Sequence, residues 1–253
     1  EPLVALARSA LALGQPARAE RRLEQLLAED PDNVVAMTLL AEVYLANDQP
    51  AKAREQYRGI LQVAPGSPRP YERLARLRLA NGDQAAALET LRRGIEATER
   101  SPLLLQALGL VQEQAGDPNA AMAAYEEVVE RVPEADVAVN NLAMLIANRQ
   151  ADDPARLARA RELTERFAES EQAVLVDTAG WLQYRSGNYD RAVELLEQAA
   201  ALGLDSAEHR YHRGMAYLKL DRSEEGRALL AKALEADPAF AGSDEARTAL
   251  EAP

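Results

Sequence analysis

The chain has no cysteine among its 253 residues, which excludes disulfides, thiolate metal sites and thiol catalysis and leaves the redox compartment unread. Aromatic residues make up only 4%, with a single tryptophan, and lysine occurs only at Lys52, Lys219 and Lys232. The net charge of -12 speaks against non-specific attraction to nucleic acid or anionic lipid, since both need a basic surface. No apolar run approaches the roughly 20 residues of a membrane span. Catalytic signatures are missing too: there is no glycine-rich phosphate loop, no nucleophile elbow and no HExxH. The paired carboxylates Asp152-Asp153 and Glu126-Glu127 are adjacent, so on a helix they point apart. A non-enzyme without cofactor or metal is expected.

A composition of 47% hydrophobic and 28% charged residues belongs to a globular chain. Much of the apolar content is Ala and Leu, small and unbranched side chains that suit closely packed helices better than sheets. An all-α protein is expected. The dominance of Arg over Lys, with the many Ala, points to a GC-rich bacterial genome. The opening "EPLVALARSALALGQ" lacks Met and is already in helical periodicity, so it reads as cut from a longer chain whose export signal is unknown.

Internal repetition organises the sequence. Pro31 and Pro65 lie 34 residues apart, and Pro133 lies two such steps further on, with Pro238 closing the series. Gly14, Gly82, Gly116 and Gly187 sit in short turns, each followed at a matching offset by one of Ala19, Ala87, Ala121 and Ala192, with Ala53 at the equivalent place in the second unit. Each unit reads as helix, turn, helix. In "NGDQ", "AGDP" and "SGNY" the residues Asp83, Asp117 and Asn188 are placed to cap the second helix, and Pro118 takes its first position, where a missing N-H costs nothing. Seven units are predicted, near 1-33, 34-67, 68-101, 102-135, 136-172, 173-206 and 207-240, followed by a polar capping helix over 243-251. The fifth unit holds extra residues in "NRQADDPARLARARE", which predicts a second helix starting at Asp153-Pro154, and Gly226 in place of Ala predicts a looser seventh hairpin.

The pattern resembles the tetratricopeptide repeat. Unit two shows it as Leu40, Ala41, Tyr44, Ala53, Tyr57 and Pro65, and unit four as Leu108, Gly109, Gly116, Ala121, Tyr125 and Pro133. The resemblance covers essentially the whole chain. It implies one right-handed α-α superhelix over 1-253, with the first helix of each unit lining a concave groove.

Helical phase then assigns the groove. A residue advances about 100° around a helix, so Trp181, five beyond Val176, points roughly 140° away from it. Val176, Ala179, Gly180 and Gln183 are the expected core positions of unit six, which turns Trp181 out of its own hairpin. The groove is expected to hold Asn140, Asn141, Met144 and Asn148 from unit five, Asp177, Trp181, Tyr184 and Arg185 from unit six, and Tyr211, His212, Met215 and Lys219 from unit seven. Semi-exposed Trp, Tyr, Met and Asn have the profile of binding hot spots. The competing reading is that Trp181 fills the gap between adjacent first helices. Toward the N-terminus the same face carries Arg8, Glu42, Arg69, Glu72, Arg73 and Arg76, so charge replaces aromatics. Unit three holds seven Arg against five acids, and unit four one Arg against six.

Arg69 and Arg73 fall where chaperone-binding members keep basic residues of a carboxylate clamp. Val4, Arg8 and Leu39 stand where its Lys and two Asn belong, which rejects that function. Arg69, Arg73 and Arg76 read first as a solvated face beside Glu72. His209 and His212, three apart on one helix, have the spacing of a metal pair with Glu208 or Asp205 as a third ligand, but no other acid is aimed at them; a surface histidine is the expected reading.

The last three units, with "DTAGW" and "RYHRGMAYLK", further resemble the C-terminal ends of bacterial repeat proteins of exopolysaccharide and PEP-CTERM/exosortase export systems. That resemblance implies a periplasmic or outer-membrane-associated scaffold. The expected function is non-catalytic: a peptide or protein segment held in the groove. Direct oligosaccharide binding by the aromatic wall, and service as the regulatory part of a larger enzyme, stay open, as does oligomeric state. Nucleic acid is not an expected partner, because basic and aromatic residues lie in different units rather than interleaved.

Overall fold

The computed structural model describes residues 2–252, apart from the side chains of residues 2, 3, 6, 8 and 11. Arg8, expected in the N-terminal groove, therefore lies outside the described side chains. Every regular element among the described residues is helical. The first four hairpins are α1 (Pro2–Ala12) with α2 (Pro16–Glu29), α3 (Val34–Ala46) with α4 (Pro50–Val63), α5 (Pro68–Ala80) with α6 (Gln84–Ala97), and α7 (Pro102–Gln114) with α8 (Pro118–Arg131). The remaining three are α9 (Asp136–Arg149) with α10 (Pro154–Thr164), α11 (Ala173–Arg185) with α12 (Tyr189–Ala201), and α13 (Ala207–Lys219) with α14 (Ser223–Ala236), followed by α15 (Ser243–Glu251). They form two compact units, Glu1–Arg131 and Val132–Pro253, the boundary falling after the fourth hairpin.

Local chemistry explains each reversal. Gly82, Gly116 and Gly187 adopt φ of 76, 75 and 81°, a left-handed backbone that other residues enter only at a cost. In the second and seventh hairpins Asp48 and Asp221 hold the same place at φ 55 and 59°, a conformation that short polar side chains tolerate. Asp83 and Asp117 then cap the second helix, accepting from the amides of Ala86 and Ala120. Asn188 does not cap: its side-chain amide donates instead to Gln183 Oε1 at 2.8 Å.

Ala19, Ala53, Ala87, Ala121 and Ala192 are completely buried where the two helices of a hairpin cross. The facing position is also small, Gly109, Gly180 and Gly214 among them; a Cβ on Gly109 would come within 2.6 Å of the Tyr125 ring. The expectation that Gly226 loosens the seventh hairpin is overturned. A Cβ at Gly226 would lie 2.9 Å from the Gly214 carbonyl oxygen, so the two glycines permit a closer backbone approach than Ala allows. In the fifth hairpin Asp153 caps α10 through the amides of Ala155 and Arg156, and a 3-10 helix, Glu165–Glu169, carries the extra length and buries Phe167.

Candidate functional site

Within Val132–Pro253 the helices α9, α11, α13 and α15 pack side by side. Their phase is as the sequence indicates: Val176, Ala179 and Gly180 face α12, and Trp181 points away toward the neighbouring first helices. It does not reach solvent. Trp181 is 1% exposed, sandwiched between Tyr184, stacked at 4.7 Å, and His212, stacked at 4.2 Å. Tyr211 crosses its edge at 5.2 Å and Phe240 covers Tyr211 at 5.4 Å. The indole N-H donates to Asn148 Oδ1 at 2.9 Å, which satisfies the one polar atom the ring buries.

The expectation of an open aromatic surface is therefore corrected for Asp177, Trp181, Tyr184, Tyr211, His212 and Met215, all buried. The reason is the spacing between adjacent first helices, close enough for large planar side chains to span it and seal one another. Asn140, Asn141, Met144 and Arg185 are half-buried, and Asn148 and Lys219 exposed. Asn140 Oδ1 accepts from Thr178 Oγ1 at 2.7 Å and so ties α9 to α11. Arg185 lies over the indole at 5.5 Å and pairs with Glu245 of α15 at 3.5 Å. Glu245 also accepts from the Tyr211 hydroxyl at 2.8 Å, which closes the wall with the last helix.

Beneath the stack lies a buried polar cluster. His209 Nδ1 and His212 Nδ1 stand 2.6 and 2.8 Å from the two carboxylate oxygens of Asp177. Burial raises the Asp177 carboxyl, but the charge of His212 and the bonds from both imidazoles outweigh it, and its pKa falls to about 2. An ionised carboxylate only accepts, so both imidazoles present Nδ1-H to it. The expectation of surface histidines with no acid aimed at them is overturned: both are at most 2% exposed, and the acid comes from the preceding hairpin. Asp205, weighed as a third metal ligand, is instead engaged by Arg210 at 2.7 Å. Among the described residues no group of three His, Asp or Glu is arranged to hold a metal ion.

Glu1–Arg131 is built differently on the equivalent helices. Arg69, Arg73 and Arg76 are exposed, with Arg73 and Arg76 at 3.6 and 3.5 Å from Glu72. Between α3 and α5 opens a cleft of about 320 Å³. Val34, Tyr57, Ile60, Pro68 and Pro70 supply apolar lining, and Glu42, Arg69 and Arg73 supply its charged groups.

Tetratricopeptide-repeat models match residues 10–70, and again 72–136 and 178–239. The chain belongs to the tetratricopeptide-repeat family. Among solved structures it is similar to a tetratricopeptide repeat protein from Parabacteroides merdae ATCC 43184, with TM-score 0.60, 16% identity, and 99% of this chain and 96% of that one covered. A thermophilic TPR protein from Thermus thermophilus matches with TM-score 0.54 and 27% identity over 73% of this chain and 99% of its own. YrrB, a TPR protein with an unusual peptide-binding site, matches with TM-score 0.51 and 15% identity over 89% of this chain and 97% of its own. No curated protein matches the sequence.

Tetratricopeptide-repeat proteins generally act as non-catalytic scaffolds for protein partners, and the fold of this chain is consistent with that role. No helix among the described residues is long and apolar enough to cross a membrane. Sequence reasoning overlooked Thr178, Phe240 and Glu245, which complete the sealed wall of this repeat protein. Tyr211 and Glu245 lie 34 residues apart, the repeat length itself, which is the signal that could have paired them.

Proposed function

We propose that this chain is a non-catalytic scaffold that holds a peptide or protein segment against the first helices of Glu1–Arg131. The observation that carries the reading is the cleft between α3 and α5, whose apolar lining is large enough for one or two side chains and whose rim is charged. Arg69 and Arg73 would meet polar or acidic neighbours of the inserted residue and steer approach. Within Val132–Pro253 the exposed and half-buried residues Asn140, Asn141, Met144, Asn148, Arg185 and Lys219 would by themselves offer a polar face to a protein partner. YrrB, a relative in fold with a peptide-binding site, supports the class of partner. An exopolysaccharide or export setting, with periplasmic location, rests on the resemblance of the last three repeats.

Oligosaccharide binding by the aromatic wall loses its physical basis, because a sugar needs an exposed ring face and Trp181 and Tyr211 offer none. Selection from a random peptide library displayed on phage, followed by calorimetry of the enriched peptides, tests the reading. Enriched peptides should bind saturably and lose roughly tenfold or more in affinity, about 1.4 kcal/mol, when Arg69 and Arg73 are both changed to Glu. No enrichment, or equal binding by that variant, overturns it.

A further inference from the structure

The joint between the second and third hairpins departs in charge from two others of the series. At the joint between the first and second, the Tyr44 hydroxyl donates to Glu24 at 3.3 Å, and at that between the sixth and seventh Tyr217 donates to Glu197 at 2.7 Å. In both pairs the partners are 20 residues apart, a carboxylate on a second helix facing a phenol on the next first helix. One repeat of 34 residues on from Glu24 and Tyr44, the same two places hold Arg58 and Arg78. An acceptor and a donor have become two cations.

These arginines line a cleft of about 430 Å³, joined there by Arg93 of α6, and no carboxylate is among its lining residues. Arg58 and Arg93 are exposed and carry no ion pair among the described residues. Arg78 is fixed by donating through Nη1 to the Ala86 carbonyl and Thr90 Oγ1, both at 2.6 Å, which holds the guanidinium at the cleft and leaves its other N-H groups for a ligand. Leu61 and Pro65 bring apolar surface to the rim, and Tyr71 and Leu74, both buried, form the floor. On α5 these residues lie opposite Arg69, Arg73 and Arg76, since Arg78 is nine positions from Arg69 and so about 180° around the helix. The site is thus separate from the peptide cleft.

We propose that this joint is a binding site for a phosphate group, either inorganic phosphate or the phosphate monoester end of a small molecule. Three arginines lining one cleft with no carboxylate among its lining residues favour an anion there, and in a chain of net charge -12 they are not part of a generally basic surface. The planar guanidinium pairs with phosphate oxygens through two parallel N-H groups, and three of them match a dianion better than a single carboxylate. The volume is that of a small-molecule site, and the apolar rim of Leu61 and Pro65 suits the organic part of a monoester.

Calorimetry of the intact chain at low ionic strength, with inorganic phosphate and with phenyl phosphate as probes and chloride as the control, tests this. Saturable binding of either probe is expected, and tighter binding of phenyl phosphate assigns the monoester while equal affinity assigns inorganic phosphate. Arg58→Glu combined with Arg78→Tyr installs the pair present at the two other joints. It should fold and weaken binding by roughly tenfold or more. Arg93→Gln, at an exposed position, should weaken binding several-fold, and Arg69→Gln with Arg73→Gln should leave it unchanged. Binding of neither probe, or undiminished binding by the double variant, overturns the proposal. Should that variant fail to fold, unchanged affinity in Arg93→Gln overturns it instead.

Discussion

On the first helices of Glu1–Arg131 the groove-facing positions carry Arg69, Arg73 and Arg76, all exposed, whereas on those of Val132–Pro253 they carry Trp181, Tyr184, Tyr211 and His212, all buried. The backbone plan is shared, so the difference lies in the side chains. Flat rings placed in register on α11 and α13 bridge the space between helices and stack across it. Flexible guanidinium stems cannot fill that space and keep their heads in water, which leaves a cleft between α3 and α5 with Val34 and Pro68 half-buried at its side over a buried floor of Tyr57, Ile60 and Pro70. A repeat wall can therefore be an interior or a surface, according to what stands at a few positions. The same ring that looks like a ligand anchor becomes a core residue once its neighbours are rings too.

The sharpest way to break this contrast is to empty one position of each wall. Trp181→Ala removes a fully buried indole together with its stacking on Tyr184 and His212, and should lower stability by about 3–5 kcal/mol in denaturant unfolding. Arg69→Ala, at an exposed position, should stay within about 0.5 kcal/mol. A Trp181→Ala protein as stable as its parent would mean that the wall is open after all.

Acid sharpens the comparison next, because only the sealed wall buries a carboxylate between imidazoles. The folded pKa of Asp177, about 2, lies below its ordinary 3.8. The group thus contributes stability that is fully present above the unfolded value and is lost as pH falls through the folded one. The difference amounts to about 2 kcal/mol. Unfolding free energies measured from about pH 5 down to about pH 2 should converge for the parent and Asp177→Asn as Asp177 takes up its proton. Curves that stay parallel across that range would show that the carboxylate is not held ionised by His209 and His212.

How far the sequence disclosed this arrangement follows from the range over which its signals act. The hairpins were legible because turn chemistry is local: Gly82, Gly116 and the capping Asp83 and Asp117 act on residues within one turn of them. Asn188 does not act as a cap, and its side-chain amide is held by Gln183, five residues back, a contact that the turn pattern does not record. The direction of Trp181 was equally legible, since helical phase needs only its own helix. Its burial was not, because that depends on the distance to α9 and α13, which no periodicity within α11 records. The Asp177 cluster was missed for the same reason. Its partners are 32 and 35 residues away, and only the repeat register aligns the fifth residue of α11 with the third and sixth of α13. The phosphate cleft was obscured by counting the charges of unit three together, when α5 sends Arg78 to one side and Arg69 to the other.

The smallest expected effect compares two glycines within helices. Gly59 in α4 and Gly226 in α14 each cost helix stability relative to Ala, by about 0.5–1 kcal/mol, through the greater freedom of the unfolded chain. At Gly59 a Cβ would meet only the Met37 side chain at 3.6 Å, an ordinary contact, so Gly59→Ala should stabilise by about that amount. At Gly226 the added carbon meets the Gly214 carbonyl oxygen at 2.9 Å and Leu218 Cδ2 at 2.9 Å, and a backbone oxygen cannot step aside as a methionine can. Overpacking there should outweigh the propensity gain and leave Gly226→Ala less stable by about 1 kcal/mol. Thermal unfolding of the two variants side by side reads the sign directly. A stabilised Gly226→Ala would mean that the seventh hairpin has room to spare, and that its helices approach each other for some reason other than the pair of glycines at their crossing.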